Sequence, residues 1–261
     1  MSDDLKAKAR SLFGASAAAY ATSDIHARGE SLGVLLELIQ PGRSWQALDV
    51  ATGAGHTALA FAPHVARVLA SDLTGAMLAK TAELAAARGL TNVQTLAADA
   101  EVLPLADAVL DLVTCRLAFH HFPHSRQAIR EMARVLKPGG VLGFTDNIVV
   151  PDEAAAAYYN AYEVLRDPSH HWVYPLKDLY AMFEEAGLRV MASRQLRKEF
   201  EFHAWADRQG ASEAVKAELL RMMRHIPEAL EPLFAPRWAD GTLYFSLWEI
   251  VWVGRKAGAD S

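Results

Sequence analysis

Gly53-Ala54-Gly55-His56-Thr57-Ala58 is a glycine loop of the form GxGxxA, and an acidic residue, Asp72, follows Gly55 by 17 residues. Glycines in such a loop let the backbone approach a ligand, and an acid at the end of the next strand can clasp the hydroxyls of a ribose. Two further carboxylates hold comparable positions: Asp49 just before the loop, and Asp99 at the end of a third apolar run. Asp49 would lie close to a pyrophosphate and repel it. It favours a nucleoside that carries positive charge and no phosphate. S-adenosylmethionine, with an ammonium, a sulfonium and a ribose diol, fits that description. Asp99 is placed to accept a hydrogen bond from the exocyclic amine of adenine. The competing ligand of GxGxxA with Asp72 is a nicotinamide dinucleotide, and Asp49 disfavours it.

A second group of chemistry-bearing residues is rich in histidine. His120, His121 and His124 follow the fourth apolar run, and His170 and His171 close the segment Arg166-Asp167-Pro168-Ser169-His170-His171. An imidazole titrates near neutral pH, so His121, His120 and His170 are candidate general bases, with a packed loop histidine as the plain alternative. His120 and His124 have the i,i+4 spacing of a metal pair. Pro123 interrupts a helix between them and no carboxylate or Cys adjoins them, so no metal is expected. The segment 166–171 is expected to close over an acceptor, with Trp172 and Tyr174 excluding water. Cys115 ends an apolar run, where packing is its expected role.

Positioning these groups requires alternating strands and helices. Ala27 to Ile39 has helical periodicity and stops at Pro41-Gly42; the run Trp45 to Ala51 reads as a strand feeding the glycine loop. Helix is expected from Thr57 to His64, strand from Arg67 to Ala70, and helix from a Thr74 cap to Arg88. Strands follow at Val93 to Ala98 and Val109 to Cys115, then a Ser125-capped helix to Leu136. Lys137-Pro138-Gly139-Gly140 reads as a turn into a fifth strand, Val141 to Thr145. Such alternation builds a parallel sheet with helices on both faces, a Rossmann-like doubly wound α/β fold. Beyond Pro151 the pattern gives helices at 154–165, 175–186 and 213–225, a strand at 188–193, and an antiparallel strand at 242–253, rich in aromatic and β-branched residues.

The 261 residues read as one domain: a helical lid over 1–40, a cofactor-binding core over 41–150, and substrate-side helices with C-terminal strands over 151–261. Apolar residues make up 52 % and the net charge is -5, which excludes a disordered chain and leaves no electrostatic footprint for nucleic acid. Every apolar stretch is interrupted before the roughly 18 residues of a membrane span. One cysteine and an N-terminus without a secretory pattern lead to a cytoplasmic expectation.

Taken together, Asp49-Val50-Ala51-Thr52-Gly53-Ala54-Gly55, Asp72, Asp99-Ala100-Glu101 with Leu103-Pro104, Asp111-Leu112-Val113, Ala118-Phe119-His120-His121-Phe122 and Arg134-Val135-Leu136-Lys137-Pro138-Gly139-Gly140 resemble the class I S-adenosylmethionine-dependent methyltransferases. The resemblance spans essentially the whole chain. It is narrower with the branch that contains the ubiquinone and menaquinone biosynthesis C-methyltransferases, some relatives of which carry a segment like Arg166 to His170. It implies that Gly53 and Gly55 admit the methionine moiety, Asp72 takes the ribose, Leu73 packs on adenine, and Asp99 with Ala100 reads the adenine edge. It also implies that Arg116 and Leu117 lie beside the cofactor and that the segment holding Tyr20 and His26 folds over it. Ala51 stands where many members have the first glycine, and an ordinary strand conformation is expected there. The implied activity is methyl transfer from S-adenosylmethionine to a small molecule, with S-adenosylhomocysteine as product. A nicotinamide-dependent oxidoreductase and a non-catalytic S-adenosylmethionine-binding module are the alternatives, and the residues leave the oligomeric state open.

Overall fold

Apolar strands form the centre of the molecule, and alternate residues of the central ones enter different cores. The computed structural model describes residues 2–21 and 29–258. The strands are β1 (Gln46–Val50), β2 (Arg67–Asp72), β3 (Val93–Ala97), β4 (Leu110–Arg116), β5 (Leu136–Ile148), β6 (Leu188–Glu201), β7 (Arg237–Ala239) and β8 (Thr242–Lys256). Their order is β3-β2-β1-β4-β5-β8-β6, with β7 paired to β8. The first five are parallel, and β8 is antiparallel to both β5 and β6. Leu48, Val113, Leu142 and Trp252 bury into one layer with Ile129, Met132 and Phe183. Their neighbours Ala47, Leu112, Val141, Val251 and Val253 bury into the opposite layer with Leu35, Ile39 and Phe61. A sheet covered on both faces has this pattern.

The helices that cover it are α1 (Ser2–Ala21), α2 (Glu30–Ile39), α3 (His56–Phe61), α4 (Gly75–Ala87), α5 (Ser125–Val135), α6 (Glu153–Arg166), α7 (Leu176–Glu185), α8 (Phe202–Asp207), α9 (Glu213–Met223) and α10 (Glu231–Phe234). Gly143 on β5 lets α2 lie flat on the sheet, since a Cβ there would come within 2.4 Å of Ile39 Cδ1. Tyr159, Tyr162, Phe202, Trp205, Phe234 and Phe245 form a third core, where α6, α8, α9 and α10 meet the start of β8.

Several boundaries differ from the sequence reading. β5 begins at Leu136 rather than Val141, because Pro138 and Gly139 sit in an irregularity between the pairs Leu110–Leu136 and Leu112–Val141. Such irregular positions are where a strand accepts Pro. β6 runs on to Glu201, pairing with β8 along its length. The caps differ too. His124 is the N-cap of α5, and Ser125 instead bonds the Phe122 carbonyl. Thr74 is the N-cap of α4, but its side chain makes no capping bond to the helix.

Candidate active site

The carboxyl ends of β1, β2 and β4 converge on a cavity of about 220 Å³ that extends to β5 and β8. Asp49, Ala51, Gly53, Asp72, Leu73, Asp99, Ala100, Arg116, Leu117, His120 and His121 all line it. Gly55 underlies the loop at one remove. Its φ is +86°, and a Cβ there would stand 2.6 Å from Thr81 Cγ2. Thr81 Oγ1 in turn donates to the Gly53 carbonyl at 2.9 Å, fixing the loop against α4.

Asp49 is only 2 % exposed. The register of β1 with β4 sets it beside Thr114, which donates to Oδ1 at 2.7 Å. Thr52 Oγ1 at 2.5 Å and the Ala58 N–H at 3.2 Å donate to Oδ2. Burial pushes the Asp49 carboxyl up to about 6, against the pull of Thr52, Thr114 and the Arg116 charge. Asp72 accepts the Gly53 and Thr74 N–H groups, both at 2.8 Å. Burial also raises its pKa, opposed by those bonds. The wall thus concentrates carboxylates beside a loop with open space over Gly53. That set of acceptors fits a cationic nucleoside with a diol better than a polyphosphate.

Ala51 departs from its expected strand conformation, with φ at +51°. The chain must turn sharply from β1 into the loop there, a conformation that glycine adopts more readily than alanine. An alanine in the left-handed region costs roughly 1–2 kcal/mol, partly offset by its lower unfolded-state entropy. Ala51→Gly is therefore expected to raise stability by about 0.5–1 kcal/mol, read as a higher denaturation midpoint at unchanged m-value.

Arg116 lies at the end of β4, its Nε donating to Thr57 Oγ1 at 3.0 Å. Burial lowers its pKa, against the charges of Glu249 and Asp49. His120 and His121 follow in a short 3-10 turn, Phe119–His121. The His120 ring lies 2.6 Å from Asp146 on β5, and its carbonyl accepts the N–H groups of His171 and Trp172. His121 stands 3.0 Å from the Ser169 carbonyl and meets the edge of Phe13 from α1.

His170 stands apart from the cavity wall, buried and bonded to Asn160 Oδ1 at 2.8 Å. The segment 166–171 is correspondingly not an open lid. Asp167, Ser169 and His170 are buried, and only Arg166 and Asp167 of the six reach the cavity. His26 lies outside the described residues; Tyr20 belongs to α1, with its side chain outside what is described.

Sequence reasoning missed Lys6 and Phe13 of α1, and Asp146, Trp205, Arg208 and Glu249. Lys6 bridges Asp99, at 2.7 Å, and Glu101. Burial lowers the Lys6 pKa, but those two acids outweigh it and the net shift is upward. Asp146 is the one with a legible signal, since it ends an apolar run as Asp49, Asp72 and Asp99 do. Among the described residues no group of three His, Cys, Asp or Glu could hold a metal ion, and no helix is long and apolar enough to cross a membrane.

Sheet order, glycine loop and strand-end carboxylates define a Rossmann-like protein of the class I methyltransferase kind. Residues 48–144 match the family described as a methyltransferase domain. The chain is 32 % identical to the uncharacterized methyltransferase YcgJ of Bacillus subtilis, over 85 % of this chain and 88 % of that one. The crystal structure of YcgJ superposes with a TM-score of 0.84, at 30 % identity over 88 % of this chain and 99 % of that one. BH2331 of Bacillus halodurans superposes at 0.83, with 35 % identity over 87 % and 98 %. A UbiE ubiquinone/menaquinone biosynthesis C-methyltransferase from Brucella anthropi is 39 % identical over 39 % of each chain. The chain belongs to the S-adenosylmethionine-dependent methyltransferase family.

Proposed function

We propose that this enzyme binds S-adenosylmethionine along the β1–β3 side of the cavity and methylates a small molecule held on the β4, β5 and β8 side. The observation that carries the reading is one continuous cavity, with Asp49, Asp72 and Asp99 on its first side and His120, Trp205 and Glu249 on its second. The bound nucleoside supplies an already activated methyl group, so alignment provides much of the catalysis. Gly53 admits the amino-acid moiety, Asp49 offers its carboxylate to the positive charge, and Asp72 takes the ribose hydroxyls. Leu73 and Ala100 border the adenine, and Asp99 accepts its amine while Lys6 keeps Glu101 as its partner. The division into a covering N-terminal helix, a nucleoside-binding core and a C-terminal acceptor side follows from these roles.

Calorimetry with S-adenosylmethionine, S-adenosylhomocysteine and NAD tests this directly. The two sulfur nucleosides should bind and NAD should not; tight NAD binding with no response to either sulfur nucleoside would overturn the reading. The pH dependence adds a finer check. In the free protein Asp49 ionises at about 6. A cation beside it favours the charged form, so binding below that pH must expel a proton. Affinity for S-adenosylmethionine should hold from pH 8 to 7 and fall as the pH drops through 6, by up to about tenfold per unit. A flat profile from pH 7 to 5 would remove Asp49 from contact with the cation.

A further inference from the structure

Three imidazoles meet near the carboxyl ends of β4 and β5, and their partners fix three different proton arrangements. An amide oxygen only accepts, so His170 holds its proton on Nε2, facing Asn160. His121 donates from Nδ1 to the Ser169 carbonyl; burial and the neighbouring His120 pull its pKa down to about 4. His120 donates from Nδ1 to Asp146 Oδ1 at 2.6 Å. The other oxygen of that carboxylate accepts the His120 backbone N–H at 3.0 Å, and Oδ1 also accepts the Asn147 N–H at 2.7 Å. Asp146 therefore grips both the ring and the backbone of one residue, leaving Nε2 of His120 as the basic nitrogen. Asp146 is buried outside the cavity lining, whereas His120 lines it.

The acceptor side of the same cavity presents the rings of Trp205 and Phe200 under guanidinium groups, with Arg166 4.2 Å from the Trp205 centroid and Arg208 5.5 Å from that of Phe200. It also contains an orphan acceptor. Glu249 is 3 % exposed, with Oε1 paired to Lys198 and Oε2 accepting no hydrogen bond. The register of β5 with β8 brings Glu249 opposite Asn147, next to Asp146. A ligand that brings a hydroxyl donor suits that unpaired Glu249 oxygen.

We propose that His120 is the base that deprotonates the acceptor, that Asp146 is the positioning residue that fixes its tautomer, and that the acceptor is a phenol or enol. The inference rests on the methyl-transfer reading above. In the step assigned to this pair the acceptor O–H bond breaks, its proton bonds to His120 Nε2, and the electron pair stays on oxygen. The freed oxygen then attacks the donated methyl carbon, and the pair of the broken C–S bond remains on sulfur. A neutral amine would need no such base before attack, which is why the dyad points to a hydroxyl. The groups around His120 favour its protonated form on balance. Burial opposes it, and Asp146 with Asp167 and Glu163 outweighs that burial, while His121 and His170 stay neutral beside it.

The test uses 4-nitrocatechol, whose ionised form is coloured, added to the full chain saturated with S-adenosylhomocysteine. The ionisation midpoint of the bound probe should lie about one pH unit below that of the free probe, as expected when an imidazolium forms beside the oxygen. That shift should disappear in Asp146→Asn and in His120→Gln, the second variant guarding against a fold lost with the buried aspartate. Failure of the probe to bind, an unshifted midpoint, or a shift retained in either folded variant would overturn the inference. Absence of S-adenosylhomocysteine binding in the calorimeter would instead strike the methyl-transfer reading itself, so the two failures are distinguishable.

Discussion

Asp72→Asn is expected to weaken S-adenosylmethionine binding by about 1.5–4 kcal/mol, more than tenfold in Kd, because an ionised carboxylate gives up charge-assisted bonds worth roughly 1.5–3 kcal/mol each. Both oxygens of Asp72 already accept a backbone N–H, from Gly53 and from Thr74. In the variant one of those positions becomes an NH2 group facing a donor, so part of the loss comes through the loop rather than the ribose. A thermodynamic cycle separates the two contributions. A ligand analogue lacking both ribose hydroxyls should lose only the loop part, so the variant should weaken its binding clearly less than that of S-adenosylmethionine. Equal weakening of ligand and analogue would assign Asp72 to loop geometry alone, and an unchanged Kd for S-adenosylmethionine in a folded variant would reject the ribose role.

Gly55→Ala should produce a large loss of stability from a single methyl group. The backbone at Gly55 has φ +86°, where an L side chain is strained by roughly 1–2 kcal/mol. The added Cβ would also meet three atoms of Thr81 between 2.6 and 3.1 Å. Thr81 is fully buried and its hydroxyl is tied to the Gly53 carbonyl, so it cannot retreat without releasing the loop. Overpacking of this sort costs about 1–3 kcal/mol. The sum, about 2–5 kcal/mol, corresponds to a Tm lower by roughly 5–15 °C in a chain of this size. Gly53→Ala is the contrast: its φ of +56° brings the backbone strain, but nothing lies within 4 Å of its Cβ. It should cost less stability while crowding the ligand side of the loop. Equal Tm changes in the two variants would show that Thr81 yields freely.

The parts of the site that were legible in the sequence are those set within a single β-α-β unit. Asp49, Gly53, Gly55 and Asp72 lie within 24 consecutive residues, and strand-then-loop logic places them without knowledge of the rest. Asp99 follows by the same rule one strand later. Asp146 and Glu249 were not legible as a pair, because they approach only through the antiparallel register of β5 with β8, about 100 residues apart. The conformation of Ala51 escaped for a different reason: its residue type permits a strand, and only the tight exit from β1 forces the left-handed turn. The segment 166–171 shows the opposite error. Its polar composition reads as surface, yet Asp167 satisfies the Ser169 backbone and side chain and accepts from Gln209, which allows it to be buried.

The position of β8 in the sheet bears on how the polypeptide is made. β8 spans residues 242–256, yet it lies between β5 and β6, which are complete far earlier in the chain. During synthesis from the N-terminus, the nascent chain would carry β5 and β6 as two open sheet edges until residues 242–256 leave the ribosome. Unpaired edges of that kind are templates for pairing with other chains. Val190 and Met191 on β6 remain exposed even in the finished fold, a short apolar stretch on a strand otherwise rich in charged residues. Ribosome-bound chains stalled before residue 242 should therefore be recognised by chaperones, and release of β8 should end that dependence in one step.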